Sequence, residues 1–241
     1  MQTHHLYLAS KDREDFNNSD PSNCRLNVAK SLNPDCISLS FAQFPNTYYN
    51  ITNKNNKFEA SGSLYEVQPG TYNLGDLMQA FANLLAADSV TVSFDDVIGR
   101  IIISTTALPT LDLNFDVADS IHAKLGFKKR VYNDSPTHTG NFVPKIYDTS
   151  IFISINGINS GCIASPTVGG MFKNVQNATF IVPNNVNKGE IIQFYQHSQF
   201  HLSPKVNDTI NYFDVRFFDD DGNLLQNLGE WAMMIELKYA K

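Results

Sequence analysis

Short apolar or alternating segments, each closed by turn-forming residues, run along almost the whole chain, and this pattern limits the fold more than any other feature. In Cys36–Phe44, Ile37, Leu39 and Phe41 alternate with polar residues, which predicts a half-buried strand with these three side chains on its core face. The other predicted strands are Leu6–Ser10, Arg25–Leu32, Phe58–Val67, Val90–Phe94, Arg100–Ser104, Ser150–Ile155, Ala178–Val182, Glu190–Tyr195, Thr209–Phe218 and Trp231–Tyr239.

Many strands with turn punctuation and few helices predict an all-β antiparallel sandwich. An eight-stranded jelly roll is the simplest sandwich that accommodates this number of strands, because it has two sheets of four strands each. The chain has 241 residues, of which 42% are apolar, enough for the core of one large β domain. We therefore expect a single jelly-roll domain over residues 1–241, with a helix-hairpin-helix insertion at about 69–127.

The insertion begins with Pro69-Gly70, which predicts a type II turn with a positive φ at the glycine. The apolar stripe of Leu74–Leu85 then predicts an amphipathic helix, with Asn73 as N-cap and Asp76 in its first turn. After a hairpin, Val117–Leu125 is predicted to be a second helix. Its proposed caps are Asp116 at the N-terminus and Gly126 just past the C-terminus.

The charge of the chain disfavours two classes of partner. The net charge is −6, whereas nucleic acids and anionic membranes bind surfaces rich in Lys and Arg. The basic run Lys128-Lys129-Arg130 is expected to be a solvated flank that suits the C-terminal end of the second helix. No apolar run approaches the roughly 20 residues of a membrane span. We expect no nucleic-acid partner and no direct membrane insertion.

The N-terminus and the cysteines indicate neither secretion nor a metal. Met1–His5 lacks the basic and apolar regions of a signal peptide, and His4-His5 is expected to be disordered. Cys24, Cys36 and Cys162 are an odd number without paired CxxC spacing, so neither zinc nor a disulfide framework is indicated. Buried free thiols in a reducing compartment are the expected state.

No set of residues in the sequence predicts catalysis. His197 and His201 would share one face of a helix, but their neighbours favour a strand, in which they would lie about 13 Å apart. We expect two surface histidines. Glycines are scattered without phosphate-loop spacing, and no nucleophile elbow or HExxH occurs. These glycines are Gly157, Gly161, Gly169 and Gly170. We therefore predict no catalytic, cofactor-binding or metal-binding residue, no cofactor and no enzymatic activity.

The acidic segment Asp219-Asp220-Asp221-Gly222-Asn223 has a composition like that of a calcium-binding loop. An EF-hand template would place Phe217 and Leu228 at ligand positions, and neither side chain carries an oxygen. A hairpin turn is the prediction, and a loose surface calcium site is the alternative.

Four segments, in order, resemble the penton (vertex) capsid proteins of the polinton, adintovirus and virophage group of DNA viruses. They are Leu6–Arg13 with its Ser10-Lys11-Asp12-Arg13 ending, Ile37–Ile51 with Phe44-Pro45-Asn46-Thr47-Tyr48-Tyr49-Asn50-Ile51, the stretch Val67–Phe127 with its Pro69-Gly70-Thr71-Tyr72 start, and Phe213–Leu225 with an Asp-x-Asp-Gly turn. Each motif is common alone, whereas their order and spacing are moderately specific. Together they cover most of the chain.

The resemblance implies a single jelly roll that forms homopentamers at icosahedral fivefold vertices. Its partners would then be further copies of itself and a double jelly-roll major capsid protein, and a vertex spike would be compatible. The protein would reside at the capsid vertex of the virion, after assembly inside the host cell. A ring of five copies needs a heterologous contact that closes on itself.

Two other functions are open from the sequence. A viral or phage attachment β-sandwich could bind a glycan or receptor through loop aromatics, for which Tyr48, Tyr49, Tyr132 and Phe142 are the candidates. An enzyme on a jelly-roll scaffold is the third possibility, because fold alone never excludes activity. Cupin-type metal sites, however, need clustered His and Glu, and the six histidines are dispersed.

Overall fold

The computed structural model describes residues 2–15, 20–155, 158–159, 178–196, 205–206 and 209–240. These residues form two compact units, one of Met1–Tyr48 with Asp148–Lys241 and the other of Tyr49–Tyr147. The predictions for His197, His201, Cys162, Gly157, Gly161, Gly169 and Gly170 lie outside the described residues. The prediction of one domain with an insertion at about 69–127 stays a prediction.

Strands dominate both units. The strands are β1 (Gln2–Ala9), β2 (Asn23–Leu32), β3 (Cys36–Pro45), β4 (Lys57–Ala60), β5 (Ser63–Glu66), β6 (Val90–Asp95), β7 (Arg100–Thr105), β8 (Leu113–Asn114), β9 (Val131–Tyr132), β10 (Thr137–Thr139), β11 (Ser150–Ile155), β12 (Ile158–Asn159), β13 (Phe180–Pro183), β14 (Ile191–Tyr195), β15 (Lys205–Val206), β16 (Ile210–Phe218) and β17 (Ala232–Tyr239). The described α-helix is α1 (Leu74–Leu84), and short 3-10 turns occur at Ser10–Asp12, Ala86–Asp88 and Ile121–Ala123. None of the described helices has the length and apolar content needed to span a membrane.

The first unit is an antiparallel jelly roll. One sheet runs β1-β17-β3, with β14 pairing to one end of β3 and β15 and β12 following at the other end. The second sheet runs β13-β11-β16-β2. Numbering the eight main strands of this unit along the chain gives the sheet orders 1-8-3-6 and 2-7-4-5, which is the jelly-roll arrangement. The all-β jelly-roll prediction is confirmed.

Side chains from both sheets form the core of this unit. Phe44 of the first sheet meets Phe217 of the second at 5.5 Å between ring centroids, and Trp231 contacts Phe217 at 5.2 Å. Around them, Leu39, Ile153, Val215 and Ile235 are buried with many further aliphatic residues. The core explains why these strands read as apolar runs or alternations in the sequence.

The predicted inward face of β3 is wrong beyond Leu39. Phe41 lies opposite Met234 whereas Leu39 lies opposite Ile235, so Ser40 is the extra residue of a β-bulge. A bulge reverses the alternation that follows it. Phe41 therefore points away from the core, and Ala42 and Phe44 are buried instead. The hydroxyl of Ser40 donates a hydrogen bond to the Met234 carbonyl at 3.0 Å.

The N-terminal segment is ordered, contrary to the expectation for His4-His5. Strand β1 pairs with β17 without a break, from Gln2 opposite Tyr239 to Ala9 opposite Ala232. A terminal strand tied into a sheet in this way does not fray. The observed strand therefore begins four residues before the predicted start at Leu6 and ends at Ala9.

An ion pair holds the end of β1 against the start of β17. The Arg13 side chain is buried, and its Nη1 lies 2.9 Å from both carboxylate oxygens of Glu230 and 2.7 Å from the Ser10 carbonyl. Ser10 also donates a hydrogen bond to the Glu230 carboxylate. Burial alone would raise the pKa of Glu230, but the Ser10 hydroxyl and the Arg13 guanidinium outweigh it and hold this pKa below the ordinary value of 4.5.

This ion pair predicts a pH-dependent contribution to stability. A lowered folded-state pKa means that the contribution is complete above the unfolded-state value near 4.5 and is lost as the pH falls through the folded value. In Glu230→Gln the buried Arg13 guanidinium loses its ion pair with Glu230, and because the Glu230 side chain is 48% exposed and screened by solvent we expect a loss of about 1 kcal/mol at neutral pH. Urea denaturation of both proteins should show the difference shrinking below pH 4.5. An equal difference at acidic and neutral pH would contradict this account.

The second unit contains two small antiparallel sheets and α1. One sheet has the order β5-β4-β8-β9 and the other β10-β7-β6. The predicted single strand Phe58–Val67 is wrong, because Ser61 and Gly62 both adopt positive φ and turn it into the β4–β5 hairpin. The predicted positive φ at Gly70 is also wrong, since Gly70 instead forms a β-bridge with Ile51.

Helix α1 is confirmed, whereas the second predicted helix is not. The Asn73 side chain accepts a hydrogen bond from the Asp76 backbone N–H at 2.8 Å, as its N-cap role requires. The segment 117–125 contains only the 3-10 turn Ile121–Ala123, capped by Ser120 rather than Asp116. Asp119 takes a positive φ, which interrupts a helix at that point. Gly126 has the predicted positive φ of a residue that ends the turn.

An aromatic cluster forms the core of the second unit. Phe81 of α1 stacks on Phe58 of β4 with ring centroids 4.2 Å apart. The ring centroid of Phe115 lies 6.4 Å from that of Phe58 and 5.1 Å from that of Phe127. The four rings therefore form one connected row that begins on α1. All four rings are buried, as expected for the apolar stripe of the helix.

Candidate functional site

Two carboxylates of the acidic turn at the end of β16 lie close to a third carboxylate from elsewhere in the chain, which the sequence did not indicate. Oxygens of Asp148, Asp219 and Asp221 lie within 4.8 Å of one another, and Asp148 and Asp219 are buried. Such oxygens suit a hard cation such as Ca²⁺. Asp148 is distant in sequence from the turn, so only the tertiary fold brings it there. No local motif could have identified it.

Hydrogen bonds within the turn occupy Asp219. Its Oδ1 accepts from the backbone N–H groups of Asp221 and Asn223 at 2.9 and 2.7 Å, and its Oδ2 accepts from the Asn223 amide at 3.1 Å. Asp220 instead accepts from the backbone N–H groups of Thr149 and Ser150. The bridge between Phe218 and Leu224 closes the loop. The tight turn is thus confirmed, but it does not join the last two strands into a hairpin, because β16 and β17 belong to different sheets.

Two of the four proposed aromatic platforms are buried. Tyr48 is in the core, and its hydroxyl accepts a hydrogen bond from the Asn184 amide at 3.0 Å. Burial, followed by the nearby Asp148 carboxylate, raises the Tyr48 pKa well above its usual range. Tyr132 is buried among Phe127 and Phe115. Neither ring is placed to stack on a glycan.

Histidines and thiols in the described residues do not form a reactive centre. The three-carboxylate group above is the described group with metal-ligand geometry, and it includes no histidine. His138 is buried with Nε2 2.6 Å from the Leu111 carbonyl. Cys24 and Cys36 are free thiols, and burial raises the pKa of Cys24 to about 12, which keeps that thiol protonated and unreactive.

The first sheet of the jelly roll has an apolar groove on its outer face. This outer-face groove has a volume of about 390 Å³ and is lined chiefly by Tyr7, Phe41, Pro45, Ile191 and Trp231. The Ser40 bulge contributes to it, because the bulge directs Phe41 outward, where its ring lies 5.2 Å from that of the exposed Tyr195 between centroids. In an antiparallel sheet with one face in water, the residues along each strand usually alternate, with apolar side chains inward and polar side chains outward. An apolar outer face therefore indicates a contact surface.

The second unit exposes an apolar tip. It consists of Val97 and Ile98 in the β6–β7 turn together with Phe142 and Val143, and Val97 is 94% exposed. A Cβ added at Gly99 would lie 3.6 Å from Val143 Cγ2, so the two segments adjoin. We use the name apolar tip for these four residues.

The basic run lies beside the apolar tip and not at a helix end. Lys128, Lys129 and Arg130 are exposed, but the preceding helical segment is a single 3-10 turn, so the expected helix-dipole role is wrong. Lys128 Nζ stands 6.0 Å from the Phe142 ring centre, and the Arg130 guanidinium stacks 4.6 Å from the ring centre of Tyr132. An apolar patch with a cationic rim is a usual composition for a protein interface.

Comparisons with known proteins bear on the fold. Neither a protein-family model nor a curated protein matches the sequence. Among solved structures, the chain is similar to the crystal structure of the selenomethionine-labelled mavirus penton protein, with a TM-score of 0.55 and 12% identity over 100% of each chain. The fold is that of a penton protein.

This likeness extends over both units of the chain and confirms the resemblance at the level of fold. At 12% identity the likeness is one of fold and not of individual residues.

Proposed function

We propose that the chain is a structural capsid protein that forms the fivefold vertex of an icosahedral viral shell as a homopentamer. The observation that carries this proposal is the likeness to a penton protein over the full length of both chains. The jelly-roll strand order supports it. The protein is accordingly a non-enzymatic component of the virion, assembled inside the host cell.

A cyclic ring needs two different surfaces on each copy, because each subunit contacts its two neighbours through different faces. The chain presents two apolar surfaces of this kind, the outer-face groove of the first unit and the apolar tip of the second. Both would expose apolar side chains to water in a monomer, which favours burial in an assembly. A double jelly-roll major capsid protein is the proposed neighbour outside the ring, and a vertex spike is a further proposed partner.

Native mass spectrometry of the purified protein tests the pentamer. We expect a mass five times the 27.0 kDa of one chain. Ile191→Lys should weaken the ring by placing a charge in the outer-face groove. Leu64→Lys is the matched control, since Leu64 is similarly exposed, 56% against 48% for Ile191, but lies in the second unit on β5. A wild-type protein that is strictly monomeric, and that never associates with a major capsid protein, would contradict the proposal.

Attachment to a glycan or receptor is the second candidate function, and the apolar tip with its cationic rim is the observation that favours it. If the tip binds a receptor, Val97→Asp should abolish binding to cells while leaving the oligomeric mass unchanged. Thr91→Asp, at an exposed position on β6 away from the tip, is the control. Binding that survives Val97→Asp would exclude the apolar tip as the attachment surface, and no binding to any glycan or cell surface would remove this function.

A further inference from the structure

Strand β1 forms one edge of the first sheet and carries none of the usual features that protect an edge. Gln2–Ala9 has eight residues, contains no Lys, Glu, Asp or Pro, and pairs with β17 in an unbroken register without a bulge. Within the described part of the chain, no strand pairs with its other side. Long, uncharged and regular edges are templates for a further strand, and proteins normally shorten, charge or cover them.

The residues that present free backbone groups follow from the pairing. The Ser10 N–H donates to the Trp231 carbonyl at 2.9 Å, in line with the β1–β17 register. Because backbone-bonded residues alternate in an antiparallel pair, the even-numbered residues of β1 direct their N–H and C=O groups toward β17. Thr3, His5, Tyr7 and Ala9 therefore direct their N–H and C=O groups outward.

An apolar groove accompanies this edge. It has a volume of about 370 Å³ and lies between β1 and β2, which belong to different sheets of the jelly roll. Its apolar lining comes from Leu6, Leu8, Leu26, Val28 and Leu32, most of which belong to or pack on the core. We call it the edge groove. A side chain entering it from outside would extend the core between the two sheets.

Charges mark the two ends of the edge groove. Asp12 lies just beyond the Ala9 end of β1, and Lys30 lies near the end of β2; both are exposed and line the groove. β3 runs parallel to β1, as both are antiparallel to β17, and the short turn 33–35 makes β2 run opposite to β3. The end of β2 thus lies toward the start of β1. A strand antiparallel to β1 would bring its amino end to Asp12 and its carboxyl end to Lys30.

We propose that β1 and the edge groove bind an extended segment of another polypeptide by β-strand addition. The segment pairs antiparallel with Thr3, His5, Tyr7 and Ala9 and places apolar side chains at every second position into the edge groove. A basic group at its amino end meets Asp12, and an acidic group at its carboxyl end meets Lys30. Backbone hydrogen bonds supply affinity in this mode, and the groove selects the alternate side chains.

The groove distinguishes this occupant from a folded second copy. The β1 edge of another copy could form the hydrogen-bond ladder, but its inward side chains Leu6 and Leu8 already pack in its own core. Only a segment that is not part of a folded sheet can offer both a backbone edge and free apolar side chains. A terminal arm of a neighbouring shell protein has this character.

A synthetic peptide tests the proposal with the full chain. In the probe, valine and threonine alternate over about eight residues, with arginine at the amino end and glutamate at the carboxyl end. We expect saturable binding below about 1 mM by calorimetry or fluorescence anisotropy. Amide hydrogen exchange of Thr3, His5, Tyr7 and Ala9 should slow on binding. A peptide with arginine and glutamate exchanged should bind more weakly.

Two variants at one position isolate the backbone contribution. His5→Pro removes an outward N–H, and proline is tolerated at such edge positions. His5→Ala removes the same imidazole but keeps the N–H. We expect His5→Pro to weaken peptide binding about tenfold relative to His5→Ala. Equal binding by the two variants, or no binding by the wild type, would overturn the proposal. Dimerisation through β1 that His5→Pro abolishes would also overturn it, in favour of a second copy.

Discussion

Replacing Phe81 with alanine is expected to lower the free energy of unfolding by about 3–5 kcal/mol. Phe81 is fully buried on α1 and stacks on Phe58 at 4.2 Å between centroids, so its removal leaves a cavity that the surrounding rings cannot fill. Leu77 on the helix and Leu85 at its C-cap are also buried, which fixes the position of α1 and limits any collapse into the space.

Urea denaturation, with hydrogen exchange of the β7 amides as the probe of the second unit, measures this loss. The single tryptophan, Trp231, belongs to the first unit, so its fluorescence reports that unit separately. Phe142→Ala is the matched control, because Phe142 is 56% exposed and should change stability by less than about 0.5 kcal/mol. A loss below about 1 kcal/mol for Phe81→Ala would show that the ring contributes little to packing.

The sequence was sufficient to predict an element wherever the local residue pattern agrees with the environment of that element in the fold. The Asn73 cap and the apolar stripe of Leu74–Leu85 depend on neighbours within a few residues, and the structure contains both features. The long strands of the jelly roll were predicted because core-facing positions recur at a fixed period. Resemblance in four ordered segments then indicated the penton fold, which the likeness to a solved penton protein confirms.

Other features depend on interactions that a local pattern does not contain. The bulge at Ser40 is a property of the β3–β17 pairing, and it moves Phe41 from the expected core face to the outer-face groove. The hairpin at Ser61-Gly62 was not predicted from the sequence, because the residues on both sides of it have the composition of a strand. Asp148 joins the acidic turn only through the tertiary fold.

The misassigned second helix has a functional consequence. A helix over 117–125 would have made Lys128-Lys129-Arg130 a solvated flank of its C-terminal end. The observed 3-10 turn at Ile121–Ala123 is instead followed by Gly126, which reverses the chain so that Lys128 stands beside Phe142. The Phe142 part of the apolar tip is therefore held by contacts to the backbone of Gly126.

Replacing Gly126 with alanine is expected to destabilise the second unit by about 3 kcal/mol. Gly126 has φ +76°, and an added Cβ would lie 2.3 Å from the Phe142 carbonyl oxygen, which is backbone and cannot rotate away. The Gly126 carbonyl accepts hydrogen bonds from the N–H groups of Asn141 and Phe142 at 2.7 and 2.9 Å. Moving the 141–144 segment to relieve the clash would weaken both bonds, in addition to the cost of the left-handed backbone.

Gly62→Ala separates these two costs. Gly62 has φ +78°, but a Cβ there would meet no atom within 4 Å, so only the backbone strain applies and a loss of about 1 kcal/mol is expected. The excess in Gly126→Ala therefore measures the contact between residue 126 and the Phe142 backbone. Hydrogen exchange should show faster exchange at Asn141 and Phe142 in Gly126→Ala and unchanged exchange there in Gly62→Ala. Equal losses in the two variants would mean that the 141–144 segment moves freely, and the apolar tip would then not be a fixed surface.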